Sequence, residues 1–288
     1  MALGLVELVV FILVPAFLAG VAGSVLGIGG GIFLVPYLTL MPVLGLSLQE
    51  AIATSLIGVI ATSSGAASVY VRDRLTNLRL GMFLEVATSA GAIAGALVAV
   101  YVNTVALFLT FGAVVAFAAA YMLRTREGPR ERAELPAEET GLARRLGLSS
   151  VYFDPEDGAV YRYRVIRPMA GFAASAVAGG VSGLLGVGGG FIKVPAMNVM
   201  MRVPVKVAIA TSNFMIGVTA AASALIYFSR GLVEPGVAAM AVVGVFLGTL
   251  VGTRVLVRVP AREIRILFAA LLGAVGIAMV GKGLGVIP

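Results

Sequence analysis

Two stretches of glycine carry the chemistry this sequence can do: Gly29, Gly30 and Gly31 in GIGGGIFLVP, and Gly188, Gly189 and Gly190 in GVGGGFIKVP. Three consecutive glycines inside an apolar run read as a helix that stops, crosses a break and starts again. Backbone freed from helical bonding is costly in lipid and is tolerated only where protein, water or a ligand satisfies it. Glycine also lets another group approach the main chain closely. The first amides and the positive dipole end of the restarted helix face the break, which is the chemistry of an anion site. The fragment GIGGG also resembles part of a dinucleotide fingerprint, but no strand precedes it and the third spacing is missing.

Further candidates flank the breaks. Thr54 and Ser55 recur as Thr211 and Ser212 in two copies of AIATS, and their hydroxyls either donate to an anion or bond back to their own helix. Asn213 stands in the second copy where Leu56 stands in the first, so the site is expected to be asymmetric in detail. Lys193 replaces Leu34 beside the second break and either meets the anion or snorkels to the interface. Glu85 is the one carboxylate well inside an apolar run; it either carries a proton for coupling or pairs with an arginine.

The elements that must position these residues follow from composition. Of 288 residues, 60% are hydrophobic and 12% charged, and the mean hydropathy is +1.05; this is the balance of an integral membrane protein. Stretches long enough to span a bilayer recur at 5–26, 48–71, 78–101, 104–123, 167–186, 207–229, 236–256 and 263–281, with shorter pieces at 31–44 and 190–205 after the glycines. Such continuous apolar runs belong to helices, since barrel strands alternate. The first stretch has no basic leader, so it reads as a retained helix. With no Cys and no His, disulfides, thiolate or imidazole metal sites and Ser–His or Cys–His nucleophiles are excluded. The net charge of +7 sits in loops and is topology information, not a nucleic-acid footprint; no cofactor signature is present.

The chain reads as two copies of one unit. GIGGGIFLVP returns at an offset of 159, AIATS at 157, and GAIAG (Gly91, Gly95) falls on GTLVG (Gly248, Gly252); these last glycines read as helix packing of the small-xxx-small kind. Residues 1–124 form the first membrane repeat, 125–166 a polar loop, and 167–288 the second repeat. Within the loop a short helix is expected over Thr140–Leu148, then a hairpin in VYFDPEDGAVYRYRV, turned by Pro-Glu-Asp-Gly. If each glycine segment is a helical hairpin, the repeats are inverted, and each combines that hairpin with about three transmembrane helices. Arg72, Arg74, Arg79, Arg202, Lys206, Arg254, Arg258, Arg262 and Arg265 then share one face with the loop, against Arg230 and Lys282 on the other. Basic loops stay cytoplasmic, so the loop is expected in the cytoplasm and both termini outside, in the cell inner membrane.

At these residues the sequence resembles the sulfite exporter TauE/SafE family. The resemblance rests on two copies of G-x-G-G-G-x-x-x-V-P, each followed by A-x-A-T-S, within two matched halves. It implies transport of small sulfur-containing anions such as sulfite, thiosulfate, sulfoacetate or other organosulfonates. It also implies secondary transport driven by an ion gradient. Inverted repeats with interrupted helices are the architecture in which such transporters hold substrate near the bilayer midplane. An anion channel, or a carrier of another anion such as a carboxylate, would use the same glycine amides. A metal-cation carrier would need more intramembrane acids than Glu85, and an enzyme lacks a base. The expected partners are a small anion and membrane lipid; oligomeric state is not legible.

Overall fold

The computed structural model describes residues 5–124, 141–154, 158–255 and 261–286. Five helices come first: α1 (Leu5–Leu26), α2 (Gly31–Leu40), α3 (Leu48–Arg72), α4 (Leu78–Ala99) and α5 (Thr104–Arg124). An insert follows, made of α6 (Gly141–Leu146) and the strands β1 (Ser150–Asp154) and β2 (Ala159–Tyr163). Then come α7 (Pro168–Leu185), α8 (Gly190–Pro195), α9 (Val205–Ser229), α10 (Pro235–Val255) and α11 (Ala261–Gly283).

Among the described residues six helices, α1, α3, α4, α7, α9 and α10, are long and apolar enough to cross a membrane. The other two expected spans, α5 and α11, carry shorter apolar segments, Thr104–Ala120 and Ala269–Gly283. The architecture is that of an all-α, multi-pass membrane protein.

Local sequence sets the helix ends. At the start of α3 a capping box joins Ser47 and Glu50, each amide donating to the other side chain at 2.8 and 3.2 Å. Asn77 caps α4 by accepting from Leu80 N at 3.0 Å. Helix α7 opens on Pro168 and stops at Gly186, whose φ of 70° is open to glycine at little cost.

Small residues set which helices touch and in which sense. Along α1 and α10, Gly244 faces Leu13 to Phe17, Gly248 faces Phe17 and Gly252 faces Val21 and Ser24, so the two run in the same sense. Helices α4 and α7 pair in the same way, Gly179 against Thr88 and Gly183 against Ala92. This is the close backbone packing expected of Gly91, Gly95, Gly248 and Gly252. Helices α3 and α9 cross in opposite senses: Ser63 donates to the Asn213 carbonyl and lies by Gly217, while Tyr70 packs near Ala210. Helices α5 and α11 are also opposed, with Gly112 against Gly276 and Val280, and Gly283 against Phe108.

The insert docks on the end of this bundle where α3 turns into α4. Its strands pair antiparallel with Tyr152 opposite Tyr161 and Ser150 opposite Tyr163. The short helix expected over 140–148 forms as Gly141–Leu146, and residues 155–157 of the expected turn lie outside the described residues. Asn77 Nδ2 donates to Leu148 O and to the Tyr163 hydroxyl, both at 2.7 Å. Ile166 N donates to Met201 O at 3.2 Å, tying the insert's exit to the end of the segment that follows α8.

Candidate anion-binding site

The two glycine breaks meet. A Cβ placed on Gly31 would overlap the Gly186 carbonyl, and one on Gly190 would overlap the Gly27 carbonyl. Only glycine permits this approach, and Gly29, Gly188 and Gly189 also need positive φ, at 77°, 78° and 72°. Gly30 differs: it sits at φ −69° as the residue that precedes α2. Beyond the breaks Phe33 N and Leu34 N donate to Gly30 O, and Ile192 N and Lys193 N to Gly189 O, which starts the two short helices. The amides of Gly29, Gly30 and Gly31 and of Gly188, Gly189 and Gly190 make no hydrogen bond among the described residues, although all six residues are buried. Unpartnered buried donors of this kind are rare, and these six lie in the two breaks that meet.

The hydroxyls of the AIATS motifs clasp the opposite half of the chain. Ser55 donates to Gly186 O at 3.2 Å and to its own Ile52 O at 2.8 Å, and Ser212 donates to Gly27 O at 2.8 Å. By occupying those carbonyls the serines leave the surroundings of the break richer in donors than in acceptors. Thr54 and Thr211 bond to other groups. Thr54 accepts from Glu234 N at 3.3 Å at the start of α10, and Thr211 accepts from Asn77 N at 3.0 Å at the start of α4. Their hydroxyls therefore hold helix starts, apart from the glycine amides. Asn213 Nδ2 donates to Ser24 O at 3.1 Å and Ile209 O at 3.2 Å, while its Oδ1 is buried without a partner.

Two apolar side chains close the meeting point from either side. Val59 and Ile216 each fill the space a side chain on Gly29 or on Gly188 would need, and they occupy matching positions, 157 residues apart. One turn beyond Ile216 lies a buried polar chain that sequence reasoning did not assemble. Lys193 Nζ donates to Thr219 Oγ1 at 3.1 Å, and Thr219 Oγ1 lies 2.9 Å from Glu85 Oε1. Ser89 donates to the same carboxylate oxygen at 2.8 Å. Lys193 is fully buried, so it does not snorkel, and Glu85 meets Lys193 through Thr219 and no arginine. Ser182, also missed, is buried with an unpartnered hydroxyl beside Gly189. Its position in the repeat corresponds to Gly23, which could have marked it.

The comparisons with known proteins place the chain among membrane transporters. The family described as Sulfite exporter TauE/SafE matches over residues 12–279. The chain is 27% identical over 281 residues to the probable membrane transporter protein YunE of Bacillus subtilis, covering 96% of this chain and 98% of that one. It is 22% identical over 283 residues to a probable membrane transporter protein of Methanocaldococcus jannaschii, covering 93% and 94%. A probable membrane transporter protein of Xylella fastidiosa is 28% identical over 243 residues, 82% of each chain. No solved structure matches. The family match spans both glycine breaks, both AIATS motifs and the Lys193 and Glu85 positions, and the chain belongs to the sulfite exporter TauE/SafE family of membrane transporters.

Proposed function

We propose that this protein is a secondary transporter that moves a small sulfur-containing anion, such as sulfite, thiosulfate, sulfoacetate or another organosulfonate, across the cell membrane by alternating access. The observation that carries the reading is the meeting of the two glycine breaks, Gly31 against the Gly186 carbonyl and Gly190 against the Gly27 carbonyl, with the amides of Gly29, Gly30, Gly31, Gly188, Gly189 and Gly190 left without a hydrogen bond among the described residues. A tetrahedral oxyanion presents several acceptors at once and suits such a cluster. In the present conformation Val59 and Ile216 close over the glycines. Binding therefore requires the two halves to part there, which is the motion alternating access needs. Ser55 and Ser212 hold the breaks in register, and Asn213, Ser182 and Lys193 bias the site toward the second half. Thr54 and Thr211 support it from the helix starts they hold. Glu85 is the group that carries a coupling proton.

The halves, 1–124 and 167–288, act as inverted repeats. Support comes from the helix senses: α1 runs with α10 and α4 with α7, while α3 opposes α9 and α5 opposes α11. The face bearing Arg72, Arg74, Arg79, Arg202, Arg254 and the insert is cytoplasmic in the inner membrane, and the termini are outside.

The test is transport in reconstituted vesicles. Labelled sulfite and sulfoacetate should accumulate above the outside concentration when a gradient drives them. Flux that only equilibrates would assign the protein to the channel reading, and uptake of carboxylates alone would replace the substrate class.

A further inference from the structure

The buried chain Lys193–Thr219–Glu85 is more than a salt bridge completed through a hydroxyl. A static pair would make direct contact and satisfy both carboxylate oxygens, since burying charge is costly unless every lone pair is met. Here Thr219 stands between the charges, with the Met215 carbonyl at 3.0 Å as its alternative acceptor. Glu85 Oε2 is buried with no partner, and Glu85 as a whole is 7% exposed.

The other half of the chain is an internal control. By the offsets of the repeat, Lys193, Thr219 and Glu85 correspond to Leu34, Thr62 and Val242. Thr62 keeps the back-bond to its own helix, to Gly58 O at 3.1 Å, and Leu34 is buried in one apolar cluster with Val245 and Ala241. Equivalent helices thus pack at this place with no charge, so the fold does not call for the pair.

We propose that Lys193 and Glu85 form a charge-exchange couple that ties proton binding to anion binding. With Glu85 ionised, its carboxylate balances the ammonium through Thr219. When Oε2 takes a proton from water, the carboxyl becomes neutral and Lys193 is left as an uncompensated buried cation. The substrate anion at the neighbouring glycine break then compensates it. One proton enters for each ammonium handed over: protonation leaves the pair with one positive charge, and the bound anion offsets it. The inference rests on the anion-transport reading above.

The surroundings favour this assignment over a bound metal cation. Lys193 on α8 is the charged group that faces Glu85. Helix α7 brings the hydroxyls of Ser175 and Ser182 to this region and has no titratable side chain between Pro168 and Leu185. Helix α9 brings Thr219 and Ser223; its titratable groups are Lys206 near its start and Tyr227, whose hydroxyl is committed to Gly183 O at 2.9 Å. A cation entering beside an ammonium is repelled, whereas a proton only neutralises the carboxylate. Lys193 N bonds to Gly189 O within the break itself, so the ammonium springs from the first turn after the glycines.

The experiment is proton uptake on binding. Purified protein in weakly buffered detergent is titrated with sulfoacetate, which does not itself titrate near neutral pH, while pH and heat are recorded. Binding by the unaltered protein should take up close to one proton per anion, and its affinity should fall up to tenfold per unit rise in pH. Glu85→Gln should bind with no proton uptake and a flat pH profile. Binding without uptake in the unaltered protein, or uptake that persists in Glu85→Gln, overturns the couple and leaves the transport reading standing. If sulfoacetate, sulfite and thiosulfate all fail to bind, the transport reading falls and the couple with it. Should Glu85→Gln not fold, Lys193→Leu, which copies Leu34, carries the same test: weaker binding without uptake supports the couple, and retained uptake overturns it.

Discussion

Thr211 accepts the backbone amide of Asn77 at 3.0 Å, joining the start of one membrane helix to the flank of another that lies more than a hundred residues away in the chain. The matching threonine, Thr54, accepts the amide of Glu234 at 3.3 Å, and Glu234 follows Asn77 by the repeat offset of 157. The T of the AIATS motif is thus a cap for a helix of the opposite half. Because Asn77 is buried, its amide has no water to turn to when the hydroxyl is removed. Thr211→Val should cost about 1–3 kcal/mol, seen as a lowered melting temperature in detergent. Thr54→Val, whose partner bond is longer and less buried, should cost less. Equal melting temperatures for Thr211→Val and the unaltered protein would remove the capping role.

The contact between the breaks makes a sharper prediction. A methyl at Gly190 meets backbone, the Gly27 carbonyl and Ile28 Cα, which cannot swing aside as a side chain can. Gly190→Ala should destabilise the protein by about 3 kcal/mol or more, the upper range of overpacking, and abolish anion binding. Gly273→Ala is the control, since nothing lies within 4 Å of its Cβ. It should leave melting and binding unchanged.

Sequence reading located the two breaks and the repeated motifs because those signals are local: a run of glycines, a fixed spacing, a period of apolar residues. It failed where the meaning of a residue lies across the interface. Ser55 and Ser212 were expected to serve a ligand, yet each also holds a carbonyl of the other break. Lys193 and Glu85 were weighed separately, since 108 positions part them in the chain and the hydroxyl that joins them sits on a third helix. Thr219 carried no mark, because a threonine in an apolar helix ordinarily bonds back to its own backbone, and this one does that too.

The insert supplies a pH-dependent handle outside the membrane helices. Burial pushes the Tyr163 phenol up to about 12, partly opposed by its hydrogen bond with Asn77. A raised acid pKa means the docked form keeps its proton while the undocked form releases it. The linked stability is therefore full below about pH 10 and is lost as pH climbs from there toward 12. Protection of β1 and β2, taken as the exchange rate relative to that of free amides at the same pH, should fall over that window. Tyr163→Phe should lower protection at neutral pH by about 1 kcal/mol for the lost bond and remove the alkaline loss of protection. An unchanged alkaline profile in Tyr163→Phe would assign the effect elsewhere.

Orientation can be read directly because the chain has no cysteine. Single cysteines at Arg72 and Arg202, both exposed, should react with a membrane-impermeant maleimide only from the cytoplasmic side. Those at Val43 and Gly231, also exposed, should react from outside. Labelling of Arg202→Cys from outside would defeat the inverted arrangement.

The pairing of α1 with α10 bears on how the chain is made. Gly248 packs on Phe17, a separation of about 230 residues, which at 5–20 residues per second takes roughly 10–45 s to synthesise. For that time α1 sits in the bilayer without the helix it is shaped to hold, and the carbonyl of Gly27 waits for the hydroxyl of Ser212. The close-packed face of α1 is therefore completed only when the second half has been made, so the two halves reach their final packing together.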